Sequence, residues 1–371
     1  MWRHGAEQSG VSRAWRRLAH LRSAPDGRHA PRPAVGYRER VLRRSGLAVV
    51  LVLSGVVLAG CATAAGSSAP VVEAYAGPGA GTVDRVTAAT EHAATIGVDG
   101  VTLTEGGSGL QPVPDGVRDL AHAADRGGAR SELLVSNYSE ALGDFSPEIG
   151  TALLGDAGNR ERVARQLARA ASRIGADGVQ VDLESLRSRD RDGLVAFAAV
   201  LTDAVHDELG PDADVSMAVM ASTSAAGFHD TGYDLRALAR HVDRFVLMTY
   251  DEHGPWSDTG TVGALPWAER VVVAAEHEGL PADRIDLGVA GYGYVWGGDD
   301  GGQVSPARAR TLAGDRARWS GRTGEWSATL ADGRELHWSD ARSYRARVAL
   351  ARELGLHGVA LWSLGTQPLP D

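Results

Sequence analysis

The chain has no lysine; all 38 of its Lys+Arg residues are arginines. A glycine-rich phosphate loop closing on a lysine is therefore excluded. Cys61 is the only cysteine, so no intrachain disulfide can form and the core must stabilise itself by burial. No His-Glu-x-x-His occurs, and the 12 histidines are scattered, with only His253 close to a strand end. Neither a metal nor another cofactor is expected from that pattern. No apolar run reaches the roughly 20 residues a transmembrane helix requires. Base is also scarce overall, for the net charge is −9. Residues 1–60 hold 11 arginines against Glu7, Asp26 and Glu39, so the remainder carries −17. Such an acidic surface argues against nucleic acid or anionic membrane as a partner.

What is present begins with a leader. Residues 47–58 are a twelve-residue apolar run preceded by Arg38, Arg40, Arg43 and Arg44, the make-up of a secretory signal. The run ends in Leu58-Ala59-Gly60-Cys61, which resembles the bacterial lipobox. That resemblance implies lipid modification of Cys61, a membrane attached through the lipid, and an extracytoplasmic location. Residues 1–36 are arginine-rich without hydrophobic periodicity and read as disordered or as an over-extended start. The expected organisation is a leader and signal over 1–60, a small polar tether over 61–70, and one large domain over 71–371.

From Val71 onward, strand-like and helix-like stretches alternate. Val71–Tyr75, Val98–Thr104, Glu132–Ser136, Ala176–Leu186, Val215–Met220, Arg244–Tyr250, Ile285–Tyr292 and Val359–Leu364 are β-prone. Helical patterns lie between them: Thr82–Ile96, about 115–126, and a longer region where Val163, Leu167, Ala170 and Ile174 recur at helical spacing. Leu194 to Leu209 ends at Gly210-Pro211, Pro266 opens the next helix, and Ser339–Leu354 stops at Gly355. Eight such units predict an α/β fold, a (β/α)8 TIM barrel. The spacing breaks once, over about 295–338, where four tryptophans and several glycine turns read as a small α+β insertion between strands 7 and 8.

The fourth strand carries the strongest functional signal. Val179, Val181 and Leu183 alternate with Gln180, Asp182 and Glu184, so the polar set shares one face. Inward barrel positions are normally filled by Val, Ile and Leu, and placing carboxylates there costs desolvation free energy. Chemistry in such barrels sits at the carboxyl ends of the strands. Those ends carry Tyr75, Thr104, Glu105, Asn137, Tyr138, Met220, Tyr250, Asp251, Tyr292, Tyr294 and Trp362, an acidic and aromatic rim suited to a carbohydrate. The bland alternative makes Asp182 and Glu184 rim partners of an arginine such as Arg187. Met248 fits core packing better than catalysis, and Tyr292 fits a structural role as well as substrate contact.

Asp177-Gly178-Val179-Gln180-Val181-Asp182-Leu183-Glu184 resembles the signature Asp-x-x-Asp-x-Asp-x-Glu of glycoside hydrolase family 18, the chitinase-type barrels. Met248-Thr249-Tyr250-Asp251 matches the family's sixth-strand motif, residues 287–293 the seventh-strand pattern, and Trp362 the eighth-strand tryptophan. Residues 325–365 look most like the branch with spore-cortex-lytic N-acetylglucosaminidases. The resemblance implies a retaining, substrate-assisted glycosidase acting on N-acetylglucosamine-containing glycans; a monomer is expected. Glu184 would be the general acid. Asp182 would orient the 2-acetamido nitrogen, and Tyr250 would hydrogen-bond the acetamido oxygen. Asp251, Trp362, Tyr292, Gln180 and Asp177 would make up the sugar-binding set, with Asp177 and Gln180 also helping to hold the inner carboxylates, Gln180 as a neutral group that alters pH dependence. A non-catalytic, lectin-like envelope lipoprotein is the alternative, although Glu184 is retained; a purely structural barrel conflicts with the polar inward strand.

Overall fold

The computed structural model describes residues 69–298 and 301–370. The leader, the apolar run, Cys61 and most of the tether lie outside the described residues. In chain order the strands are β1 (Val71–Ala76), β2 (Thr95–Thr102) and β3 (Arg130–Ser136). A short hairpin, β4 (Tyr138–Ser139) and β5 (Asp144–Phe145), follows. Next come β6 (Gly178–Asp182), β7 (Asp214–Met220), β8 (Arg244–Met248) and β9 (Ile285–Ala290). After them stand β10 (Gly293–Trp296), β11 (Gly302–Val304), β12 (Arg318–Ser320), β13 (Glu325–Thr329), β14 (Glu335–Trp338) and β15 (Gly358–Trp362). Eight of these close into a parallel barrel in the order β1-β15-β9-β8-β7-β6-β3-β2. This is the (β/α)8 architecture expected from the strand count.

Six of the ten α-helices among the described residues open on a side-chain cap. α1 (Thr82–Ala89), α2 (Val117–Arg126) and α3 (Pro147–Gly155) precede α4 (Ala157–Ile174). In α4, Asp156 accepts from the Asn159 N–H at 2.7 Å, and Val163, Leu167, Ala170 and Ile174 are buried. Gly175, at φ 76°, ends it in the left-handed conformation. The remainder are α5 (Arg191–Leu209), α6 (Ala225–Asp230), α7 (Leu235–Leu238), α8 (Leu265–His277), α9 (Pro306–Ala313) and α10 (Ala341–Glu353). α1 stops at Ala89 instead of Ile96. The Ala94 N–H already bonds the Val72 carbonyl at 2.8 Å, and Ile96 packs outward from β2.

Side chains inside such a barrel stack in layers drawn from alternate strands, level positions rising by about one residue per strand. The strand registers place Glu73, Glu132, Ser216 and Asp286 in one layer. Arg244 rises into it, with its guanidinium 2.5 Å from Glu73 and 2.6 Å from Asp286, and paired also with Glu132. Above lie Gly97, Gln180, Val246 and Ala360, then Tyr75, Leu134, Ala218 and Gly288, then Asp99, Asp182, Met248 and Trp362. Gly97 is required where it stands, because a Cβ there would fall 2.3 Å from the Tyr75 ring.

The insertion is a five-stranded antiparallel sheet, β11-β10-β14-β13-β12, covered by α9. Its join to the barrel is a buried ion pair, Glu325 with Arg347 of α10 at 2.8 Å. Glu325 also accepts the backbone N–H groups of Val262 and Gly263, pinning the loop after β8. On the sheet, the Arg310 guanidinium lies 3.9 Å from the Trp326 ring centre and that of Arg342 4.2 Å from Trp319.

The floor sets a stability prediction. Burial pushes the Glu73 carboxyl up to about 7, with Arg244 opposing. Arg244→Met would leave three buried acidic groups without their cation, and should lower unfolding free energy at pH 7 by about 3–5 kcal/mol. Protonation relieves such carboxylates as pH falls, so urea denaturation should show a smaller loss at pH 5.

Candidate active site

The fourth barrel strand ends earlier than its alternation suggests. β6 stops at Asp182, the Leu183 carbonyl accepts from the Tyr233 hydroxyl at 3.0 Å, and Ser185 turns through φ 57°. Glu184 thus sits just past the strand, half-buried at the mouth, while Asp182 is only 5% exposed. Asn137, wholly buried at the end of β3, holds this turn from both sides. Its Oδ1 accepts the Glu184 N–H at 2.9 Å, and its Nδ2 donates to the Glu184 carbonyl at 2.8 Å and the Ser146 carbonyl at 2.9 Å.

The opposite wall comes from β8, β9 and the strand after it. Tyr250 follows β8, and its ring has room because position 288 is glycine; a Cβ there would lie 2.9 Å from Tyr250 Cε1. Asp251 adopts φ 62° and accepts two phenolic hydroxyls on Oδ1, from Tyr292 at 2.7 Å and Tyr294 at 2.8 Å. Its Oδ2 has no partner among the described residues. Trp362 ends β15 against Tyr75, ring centres 5.1 Å apart, with one part open to the cleft.

The electrostatics follow from crowding carboxylates in a poorly solvated mouth. Burial and then the charges of Asp182, Asp251 and Asp144 push Glu184 well above the ordinary carboxylate range. Burial, with Asp99 adding to it, pushes Asp182 up to about 7. Asp251 rises to about 6 through burial, which outweighs the two tyrosine hydrogen bonds. Burial and the neighbouring carboxylates raise Tyr250 well above the phenol range, so it is a neutral donor. No group of three or more His, Cys, Asp or Glu among the described residues could hold a metal ion.

The structure brings Asp182, Glu184, Tyr250, Asp251, Tyr292 and Trp362 to one mouth. Two expected residues are elsewhere. Asp177 precedes β6 at the amino end of the barrel, where its Oδ2 accepts the Ser131 N–H at 2.8 Å, and it reaches neither inner carboxylate. Gln180 has no exposed surface and cannot touch substrate. Its Nε2 faces the floor, donating to Ser216 at 2.9 Å, Glu73 at 3.1 Å and Glu132 at 3.4 Å. Sequence reasoning missed Asp99 and Asp144. Asp99 follows the inward Gly97 by two residues on β2, a parity that was readable; the extra residue Gly100 then shifts the register and hides it. Asp144 depends on a hairpin too short to carry a pattern.

The sequence model of Glycosyl hydrolases family 18 matches residues 127–367. The chain belongs to that family. Among curated relatives, the cortical fragment-lytic enzyme of Bacillus subtilis (strain 168) is 30% identical over 237 residues, covering 60% of this chain and 54% of the relative. Chitotriosidase-1 of Mus musculus is 24% identical over 59% of this chain and 56% of its own. The chain spans 54% to 62% of the length of the cortical fragment-lytic enzymes it matches. Among solved structures, the Bacillus cereus spore cortex-lytic enzyme SleL superposes with a TM-score of 0.71 at 21% identity, covering 80% of this chain and 71% of that one. A chitinase from Chromobacterium violaceum gives 0.71 at 27% identity, covering 81% and 95%.

Within this family-18 site, the Asn137 clamp makes its own prediction. Asn137→Ala strands the buried Glu184 backbone groups and should cost about 2–4 kcal/mol in urea unfolding. Hydrogen exchange should show the Glu184 amide losing protection relative to the barrel strands.

Proposed function

We propose that the protein is a glycosidase that cleaves β-linked N-acetylglucosamine-containing glycans of the peptidoglycan or chitin type, retaining configuration and using the sugar's own 2-acetamido group as nucleophile. The observation that carries this is the pairing of a half-buried Glu184, held protonated by burial and by Asp182, with a buried carboxyl two residues before it. Relatives named for cortical-fragment lysis and chitotriose hydrolysis support a glycan of this chemistry.

In this scheme Glu184 donates its proton to the glycosidic oxygen as the C1–O bond breaks. The acetamido carbonyl oxygen bonds to C1 and forms an oxazolinium ion, so no enzyme carboxylate need be covalently attached. Asp182 accepts the acetamido N–H and stabilises the developing positive charge. The Tyr250 hydroxyl donates to the acetamido oxygen, the free Oδ2 of Asp251 takes a sugar hydroxyl, and Trp362 stacks under the ring. Water then opens the oxazolinium while Glu184 recovers its proton.

Hydrolysis of a chromogenic N-acetylglucosamine oligomer tests this. Glu184→Gln should lower kcat about 10²–10⁴-fold, and deacetylated oligomers should not be cleaved by the parent. Equal turnover by parent and variant would sink the acid assignment; binding without turnover by the parent would favour the lectin alternative. The kcat/KM profile should be bell-shaped, falling at low pH as Asp182 protonates and at high pH as Glu184 loses its proton.

The basic flank, apolar run and sole Cys61 support a second proposal, that the enzyme is held outside the cytoplasm by a lipid on Cys61. Metabolic labelling with an alkynyl fatty acid should mark the parent, and Cys61→Ala should abolish the label and move the protein to the soluble fraction.

A further inference from the structure

One carboxyl group at the mouth has no role in that scheme. Asp99 stands on β2, two strands away from Asp182, and its side chain makes no hydrogen bond or ion pair with any described residue. Its register partners are Leu134 on β3 and, through it, Gln180 on β6. Because level positions rise about one residue per strand, two strands carry the level from Gln180 to Asp182. Asp99 and Asp182 therefore belong to one interior layer, which Met248 and Trp362 complete. The bulge at Gly100 lies after Asp99 and leaves this placement intact. Beside Asp99 the chain has Gly77, whose missing Cβ would lie 3.6 Å from Asp99 Oδ2. Asp182 contributes the second observation, for its buried Oδ1 has no donor.

We propose that Asp99 is the positioning residue for the proton on Asp182: the two carboxyl groups hold one proton between them in the free enzyme, and the charge of Asp99 sets the pH at which Asp182 becomes the anion that receives the acetamido N–H. Resting on the assignment of Asp182 as acetamide partner, this gives the site a titrating pair although Gln180, next to Asp182 on its own strand face, cannot titrate. Two anions in one poorly solvated layer repel, so one must hold a proton until positive charge arrives. The developing oxazolinium is that charge. The raised positions of both groups, Asp99 through burial and Asp182 through burial and Asp99, agree with the geometry.

Other charged groups do not reproduce this. After β6 and after β8, Glu184, Tyr250 and Asp251 face Asp182 from the cleft side, with Tyr233 behind the turn. Tyr75 of β1 lies below, and Glu73, Glu132 and Arg244 lie at the floor, where the guanidinium meets the carboxylates. The charged residues of α1 and α2, which cover β2 from outside, are separated from it by Ile96, Val98 and Val101. Asp99 is the acidic group within Asp182's own layer.

The full chain in detergent micelles, labelled with ¹³C at aspartate carboxyl carbons, allows a test independent of turnover. In the parent one resonance should titrate near neutral pH and vanish in Asp182→Asn. In Asp99→Asn its midpoint should fall by about one unit, a tenfold change in ionisation ratio. Asp99→Ser, smaller and also neutral, should give the same downward shift. On the chromogenic oligomer, the acidic limb of kcat/KM should move down with it while the basic limb stays. A midpoint unmoved in both variants overturns the proposal, whether or not the parent turns over substrate; turnover lost equally at every pH, with the midpoint fixed, reduces Asp99 to a structural residue.

Discussion

One guanidinium at the barrel floor governs most of what lies above it. Among the described residues Arg244 is the one guanidinium that meets Glu73, Glu132 and Asp286 together, all three buried. A hydrophobic plug would be the ordinary filling for these positions. The charges instead fix direction: Gln180 can satisfy the floor only with its Nε2, so its amide has one orientation. His357 extends the network to the surface by meeting Asp286 at 2.7 Å. The mouth is built differently. Among the described residues its carboxylates have no cation between them, and what holds them is the Asn137 clamp and phenol donors at Asp251.

That difference separates two kinds of buried acid in one cavity. At the floor, opposite charge accompanies burial, and the network is suited to rigidity rather than exchange. At the mouth, like charges accompany burial, and each group is kept near the point where it can gain or lose a proton. The two zones are separated by layers built around Tyr75, Leu134, Val246 and Ala360. These rings and methyl groups keep the floor's guanidinium away from Asp182, whose raised affinity for a proton it would otherwise cancel.

Much of this is legible in the amino-acid sequence. The eight strands and the insertion followed from alternation, caps and glycine stops, since periodicity is local. Asp182, Glu184, Tyr250, Asp251 and Trp362 were readable because each stands at a strand end with an identifiable motif. Failures arose where the answer depended on register or direction between strands. Asp177 shares a motif with Glu184 yet stands at the opposite end of the barrel, because an extended strand carries it roughly 20 Å away. Gln180 points inward as expected, but nothing in one strand tells which neighbours it meets. Asp99 shares the inward parity of Gly97, but only pairing across β3 puts it level with Asp182.

The tryptophans of the insertion carry a further meaning. Arg310 and Arg342 occupy the faces of Trp326 and Trp319, and Trp326 lies against Trp338. A guanidinium lying on an indole occupies that face of the ring. Those covered faces serve the cohesion of the small sheet, which has few other buried side chains to hold it together.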